Sequence, residues 1–403
     1  MRLGHPRRAS SGMAVGLAVV LLGTACSAGP AAEPAAATDI VVGALPIADT
    51  VGFYVAVREG FFRQADLNVT VKPVLQSTSA IPDMETGKVD IIAGANYISY
   101  FQAEAKDPSD PPFALLAEGT TCAPNAFDIL ALPSSGITDP AGLAGKTIAI
   151  NIPNNVQTLT IDTVLRDDAV NPASVRYVTI PFPKMLAALK AHRVDAISVV
   201  EPFLTGAELA LGAEPVLDEC TGPTASFPLS GYFSTRAWAR RHPAAVRAFQ
   251  QALSQGQAVA DTDRGLVEKT LVSYIPGLSP AVAAVITLNQ FPISLDPIRL
   301  QRAADLMYTG GMLRKPLDVR SFLAPLTASR PAAPGYWTGH LRAPTQSWQS
   351  GLMSLSHSAT LGVRLDLLWL WSGIIMPNPA ERGGALPAAT GPSRREERYP
   401  AVI

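Results

Sequence analysis

The sequence predicts an α/β protein of two similar lobes with a ligand cleft between them. Three observations point there. One short pattern occurs twice, as GKVDIIAGANY at 87–97 and as HRVDAISVVEPF at 192–203. Each time a helix ends at a left-handed position, a basic residue follows, Val-Asp opens a small and apolar run, and a polar tip closes it. Strand-like and helix-like stretches alternate around both copies, as in parallel sheets covered by helices. The 403 residues, 48% hydrophobic and 16% charged, supply core enough for two domains.

The N-terminus reads as an export signal. Arg2, Arg7 and Arg8 precede an apolar run, Met13 to Leu22, too short to span a bilayer. The run ends in LLGTACSAG, which resembles a bacterial lipobox, with Gly23 where Leu is usual. The expectation is a lipoprotein signal peptide over 1–25, a lipidated Cys26 and a small-residue, Pro-rich tether over 26–37. The alternative is an ordinary cleaved signal with an incidental cysteine. Either way the protein is extracytoplasmic, and the lipid anchor places it on the outer face of the cell membrane. A net charge of −1 offers nothing to nucleic acid.

The elements follow in order. Val41 to Leu45 is a buried strand, and IADTVGFYVAVREGFF a loop and helix with Tyr54, Val57 and Phe61 on one face and Gly60 as its cap. LNVTVKPV alternates as a strand, STSAIPDMETG is a short helix ending at Gly87, and VDIIAG is the next strand. The second copy repeats this with GKTIAIN, a helix from Val156 to about Asp168, VRYVTIP, KMLAALKA and VDAISVV. His192 stands where Gly87 stood.

In open parallel sheets ligands lie beyond the carboxyl ends of the strands. The first lobe offers Asp49, Phe53 and Tyr54 after its first strand, Ser77 and Thr78 after the second, and Asn96 and Tyr97 after the third. The second lobe offers Asn154, Asn155 and Gln157 at a helix N-terminus, then Phe182, then Glu201 and Phe203. Each has a plainer role to set beside binding: Asn155 and Asp49 as helix caps, Phe53 and Phe182 as core. Tyr97 and Glu201 stand out, because neither position gives such a residue a reason to pack. These positions hold two acids and no Arg or Lys, which favours an amine-bearing ligand. An aminopyrimidine-type compound ranks ahead of taurine, and both ahead of nitrate.

Apart from Cys26, the cysteines are Cys122 and Cys220, and outside the cytoplasm such a pair is expected to bridge. The alternative is two buried thiols far apart. The five His are scattered without ligand spacing to a Cys, so no metal is expected. No cofactor is expected either.

VGALPIADTVGFYVAVREGFFRQADLNV, MLAALKAHRVDA and VVEPF resemble the solute-binding proteins of ABC importers, in the branch serving nitrate, taurine, alkanesulfonates and thiamine-pyrimidine precursors. The likeness runs over residues 39–325. Asp66 stands where that family usually has Gly, a left-handed turn that Asp also accepts. The resemblance implies a type II periplasmic-binding-protein fold. Lobe I would hold 38–131 and 228–325, and lobe II 132–227, with DILAL and SGYFSTRAW as the crossings. It implies a monomer that hands its solute to an ABC permease and ATPase and meets the membrane through its lipid anchor.

From 326 to 403 the likeness stops. Four of the five Trp fall here, and VRLDLLWLWSGIIM is too short for a comfortable membrane span. The expectation is a non-homologous, largely unfolded tail, the alternative an extra helix docked on the body. The wider family also includes a fungal enzyme that makes the thiamine pyrimidine, its chemistry linked to a cysteine-rich iron-binding run and an active-site His. This sequence has no such run and no nucleophile elbow, phosphate loop or H-E-x-x-H. Catalysis is not expected. A pyrimidine-precursor synthase-like enzyme and a ligand-sensing partner of a membrane receptor stay as alternatives.

Overall fold

Ten strands form two sheets in a computed structural model that describes residues 37–106 and 112–324. The expected signal peptide, the expected lipidation at Cys26 with its tether to residue 36, and the expected tail from 326 lie outside the described residues. The strands are β1 (Thr38–Ala44), β2 (Leu67–Pro73), β3 (Ile91–Asn96), β4 (Phe113–Thr121), β5 (Phe127–Ala131), β6 (Thr147–Ile150), β7 (Arg176–Thr179), β8 (Ala196–Val200), β9 (Glu214–Asp218) and β10 (Pro228–Thr235). Their order is β2-β1-β3-β10-β4 in one sheet and β7-β6-β8-β5-β9 in the other. Position by position the two orders match, so the doubled sequence pattern is a doubled topology.

The shared step is built as its residues require. Gly87 and His192 both adopt left-handed backbone, at φ 73° and 52°, before β3 and β8. The aspartates that follow, Asp90 and Asp195, each accept a hydrogen bond at 2.8 Å from the adjacent strand, from the Val41 and Thr147 amides. The repeated Val-Asp therefore pins each strand in register. Asp66 takes the left-handed turn at φ 57° in place of glycine.

Two expectations are corrected. The sheets are mixed: β1 runs parallel to β2 and β3, and β6 to β7 and β8, but β10 and β5 each run antiparallel to both their neighbours. These are the strands that arrive directly from the other sheet. A short passage delivers them at the carboxyl ends of the resident strands, so they can only run back the other way. The passages themselves are 122–126 and 219–227, just ahead of DILAL and SGYFSTRAW. DILAL lies in β5, a strand of the second sheet, and SGYFSTRAW begins in β10, a strand of the first.

Cys122 and Cys220 are bridged, with their Cα atoms 5.3 Å apart, and the bond ties the outgoing passage to the return. Around the first sheet, Phe53, Phe62, Tyr232 and Phe249 form one buried aromatic cluster and Tyr97, Tyr100, Phe101 and Phe233 another. Gly256 lets the long Pro243–Thr262 helix approach the Val51–Arg58 helix, since a Cβ there would stand 2.3 Å from the Gly52 carbonyl oxygen.

Candidate functional site

The carboxyl ends of the two sheets enclose a small cavity of about 40 Å³. The first sheet's side supplies Asp49, Ser77, Asn96 and Ser230, and the second side Asn151, Asn155, Gln157 and Phe182. No Arg, Lys or His lines it. That volume admits a few waters, against roughly 300 Å³ or more for ordinary small-molecule pockets. Larger hollows exist, of about 830 Å³ beside the Pro297–Thr309 helix and about 340 Å³ near Arg236. Neither is lined by a residue of the second sheet, so the doubled topology does not converge on them.

Asp49 lies on the single 3-10 turn Ala48–Thr50 that follows β1. It is 6% exposed, and its two oxygens accept from Asn289 Nδ2 at 3.0 Å and Thr120 Oγ1 at 3.1 Å. Thr120 in turn meets Ser230 at 3.0 Å. Burial pushes the Asp49 carboxyl up from its ordinary value, and the two hydrogen bonds only partly offset it. Asn96 donates to Ser77 Oγ at 3.3 Å and accepts the Ser99 amide at 2.9 Å, capping the Tyr97–Lys106 helix.

On the opposite wall Asn155 caps the Val156–Asp167 helix through the Thr158 amide. Gln157 donates to the Ser198 carbonyl and hydroxyl at 2.8 and 2.9 Å, and accepts from the Asn151 amide and Asn155 Nδ2. With those contacts made, Gln157 holds the wall together and has little left for a ligand. Phe182 stacks on Phe203 with ring centres 5.6 Å apart.

Of the residues picked from sequence, the cavity gathers Asp49, Ser77, Asn96, Asn155, Gln157 and Phe182. The others lie elsewhere. Phe53 is core between Phe62 and Tyr232. Tyr54 stacks on Tyr274 at 3.6 Å, and burial pushes its hydroxyl up to about 12. Thr78 is half-buried on its turn, and Asn154 is exposed at a left-handed φ of 50°. Phe203 reaches the cavity only through Phe182. Tyr97 turns into the core against Phe101 and Phe233, in space that Gly231 leaves: a Cβ there would stand 2.7 Å from the Tyr97 ring.

Glu201 is a clasp. Its carboxylate accepts the Thr205 hydroxyl at 2.7 Å and the Thr205 and Thr287 amides at 3.1 Å, while its carbonyl accepts the Ala48 amide at 3.0 Å. Thr205 belongs to the helix that follows Glu201, whereas Ala48 follows β1 of the other sheet. A Glu201→Ala variant should lower stability in urea by about 1.5–3 kcal/mol, the value of hydrogen bonds to a charged group. Unchanged unfolding would refute the clasp.

Sequence reasoning missed Asn151, Ser230 and Gln76. Asn151 is the residue immediately after β6, the second sheet's counterpart of the β1 end, and that equivalence was the available signal. It is 4% exposed, its Oδ1 has no partner, and its carbonyl accepts Gln76 Nε2 from the facing side at 2.6 Å. Nothing marked Ser230, because it lies inside a strand.

Among the described residues no group of His, Cys, Asp and Glu could hold a metal ion, and no helix is long and apolar enough to cross a membrane. The NMT1/THI5 like family model matches residues 47–263. No curated protein matches the sequence. Among solved structures, the alkanesulfonate-binding protein SsuA from Xanthomonas axonopodis pv. citri, bound to MOPS, is 22% identical with a TM-score of 0.59, covering 73% of this chain and 99% of its own. The nitrate-binding protein NrtA from Synechocystis PCC 6803 is 13% identical with a TM-score of 0.59, over 70% and 84%. The desulfurization enzyme DSZB is 16% identical with a TM-score of 0.54, over 71% and 96%. At these identities the likeness establishes the two-sheet, type II periplasmic-binding-protein fold.

Proposed function

Since this chain belongs to the NMT1/THI5 like family, whose model spans over half of it, we propose that it is an extracytoplasmic solute-binding lipoprotein. It captures a small nitrogen- or sulfur-containing organic compound and delivers it to the permease and ATPase of an ABC importer, anchored through Cys26. The two sheets act as lobes that part to admit the solute and close over it. The observation that carries this reading is the cavity itself. Strand ends from two matched sheets converge on one buried acid, several amides and hydroxyls, and an aromatic face.

Those groups also support a ligand class. SsuA and NrtA are named for anions, yet here no cation lines the cavity and Asp49 stands in it. A buried carboxylate without a cationic partner rewards a donor-rich neutral or positive group. An aminopyrimidine-type compound is therefore favoured over taurine, and taurine over nitrate. The cavity's acid, amides and hydroxyls support a binding role.

Mass spectrometry of what co-purifies, followed by a thermal-shift panel of these three classes, tests the reading. A true ligand at a hundred times its Kd adds ~2.7 kcal/mol. Stabilisation by nitrate or an alkanesulfonate but not by amines would overturn the ligand class. No stabilisation by any small solute would overturn the binding role.

A further inference from the structure

Asp128 sits within β5 and faces Asp218 of β9 across the antiparallel ladder. It is 1% exposed, and neither of its oxygens receives a hydrogen bond from any N–H or O–H group. As directly opposed residues of an antiparallel pair, Asp128 and Asp218 send their side chains out side by side on one face of the sheet. The other ionisable groups facing it are acids too: Glu208 on the Phe203–Leu211 helix, Glu201 after β8, and Glu219 in the return passage. Two bare carboxylates repel each other side by side in the ladder, whereas a proton kept on Asp128 lets it donate to its neighbour. Burial first, and those acids second, push the Asp128 carboxyl up to about 8.

Asp218 has a second task. One oxygen accepts the Asn125 amide of the outgoing passage at 3.3 Å, and the other the Cys220 amide of the return at 2.7 Å. A single carboxylate thus grips both connections between the sheets, next to the disulfide that joins them.

We propose that Asp128 and Asp218 form a positioning pair for the hinge, in which a protonated Asp128 donates to Asp218 while Asp218 holds both passages, and deprotonation of Asp128 in alkaline solution loosens them. The cleft then closes less completely as pH rises. This rests on the reading of two lobes that move about the passages. The sign is fixed by linkage. The native carboxyl keeps a proton that the unfolded chain releases at its ordinary value of 3.8, so stability from this group falls as pH rises from there to about 8. Asp128→Asn donates the same hydrogen bond without titrating and should flatten that fall.

The test uses the full chain with Cys26→Ala and nitroxide labels at Leu75→Cys and Lys184→Cys, exposed positions on opposite sides of the cavity. The label separation should lengthen and broaden in alkaline solution with a midpoint near 8. Asp128→Asn should keep the acid-side distribution throughout, and Asp128→Ala should show the alkaline one at neutral pH. Infrared difference spectra of the unlabelled protein should lose a protonated-carboxyl band over the same range. A pH response that is identical in Asp128→Asn, or the absence of that band, overturns this inference alone. Labels whose separation never changes, with pH or with an aminopyrimidine probe, overturn the two-lobe reading beneath it.

Discussion

Replacing both bridging cysteines, Cys122→Ser with Cys220→Ser, should destabilise the protein more than any other change considered. The bond closes a loop of 98 residues. Constraining a loop of that size in the unfolded chain is worth up to ~4.7 kcal/mol in the entropic description. The bridge joins the two passages between the sheets, so its loss also removes a tether on their relative motion. Urea unfolding of the double variant should show a midpoint well below that of the wild type. Adding a reductant to the folded wild type should do much less, since Cys122 and Cys220 are 1% and 2% exposed. The denatured, unreduced wild type with Cys26 replaced should titrate no thiol. Two titratable thiols, or an unchanged midpoint in the double variant, would count against a bridge that stabilises the hinge.

Asp49→Asn carries the second large effect, on binding. A cationic amine paired with a buried carboxylate should lose about 1.5–3 kcal/mol, roughly 10- to 150-fold in Kd, when that charge is removed. A neutral ligand should be affected far less. The pH dependence separates the two. Burial raises the Asp49 carboxyl above its ordinary range, so binding of a cation should weaken as pH falls through the raised value, and Asp49→Asn should show no such weakening. Over the same window stability moves oppositely, because the native carboxyl holds its proton to higher pH than the unfolded chain does. Calorimetric titration of an aminopyrimidine against wild type and variant measures both. Equal affinities in the two proteins would remove Asp49 from the ligand's partners.

Glu201 and Asp49 show why part of the site was hidden in the sequence. Both are acids just beyond a strand end, and position alone assigns them the same role. The fold separates them: Thr287, 86 residues further on, brings its amide to Glu201 and uses up its carboxylate, while Asp49 meets only a hydroxyl and an amide and stays at the cavity. Tyr97 teaches the same lesson through sterics. It stands at a strand end as expected, but whether its ring faces ligand or core was decided by the missing side chain of Gly231.

What the sequence determined by itself is whatever depends on neighbours in the chain. The left-handed helix ends at Gly87 and His192, the turn at Asp66, the alternation of strands and helices and the Asn155 cap are short-range steric and hydrogen-bonding choices, and each was legible. So was the doubling, because equal local steps build equal sheets. The tertiary structure decided what depends on distant partners. It fixed which strand runs antiparallel, where the chain passes between the sheets, and which polar side chains face the cavity, such as Asn151 and Ser230, rather than one another. Those outcomes turn on the direction from which a strand arrives and on contacts between residues far apart in sequence, and no local pattern encodes either.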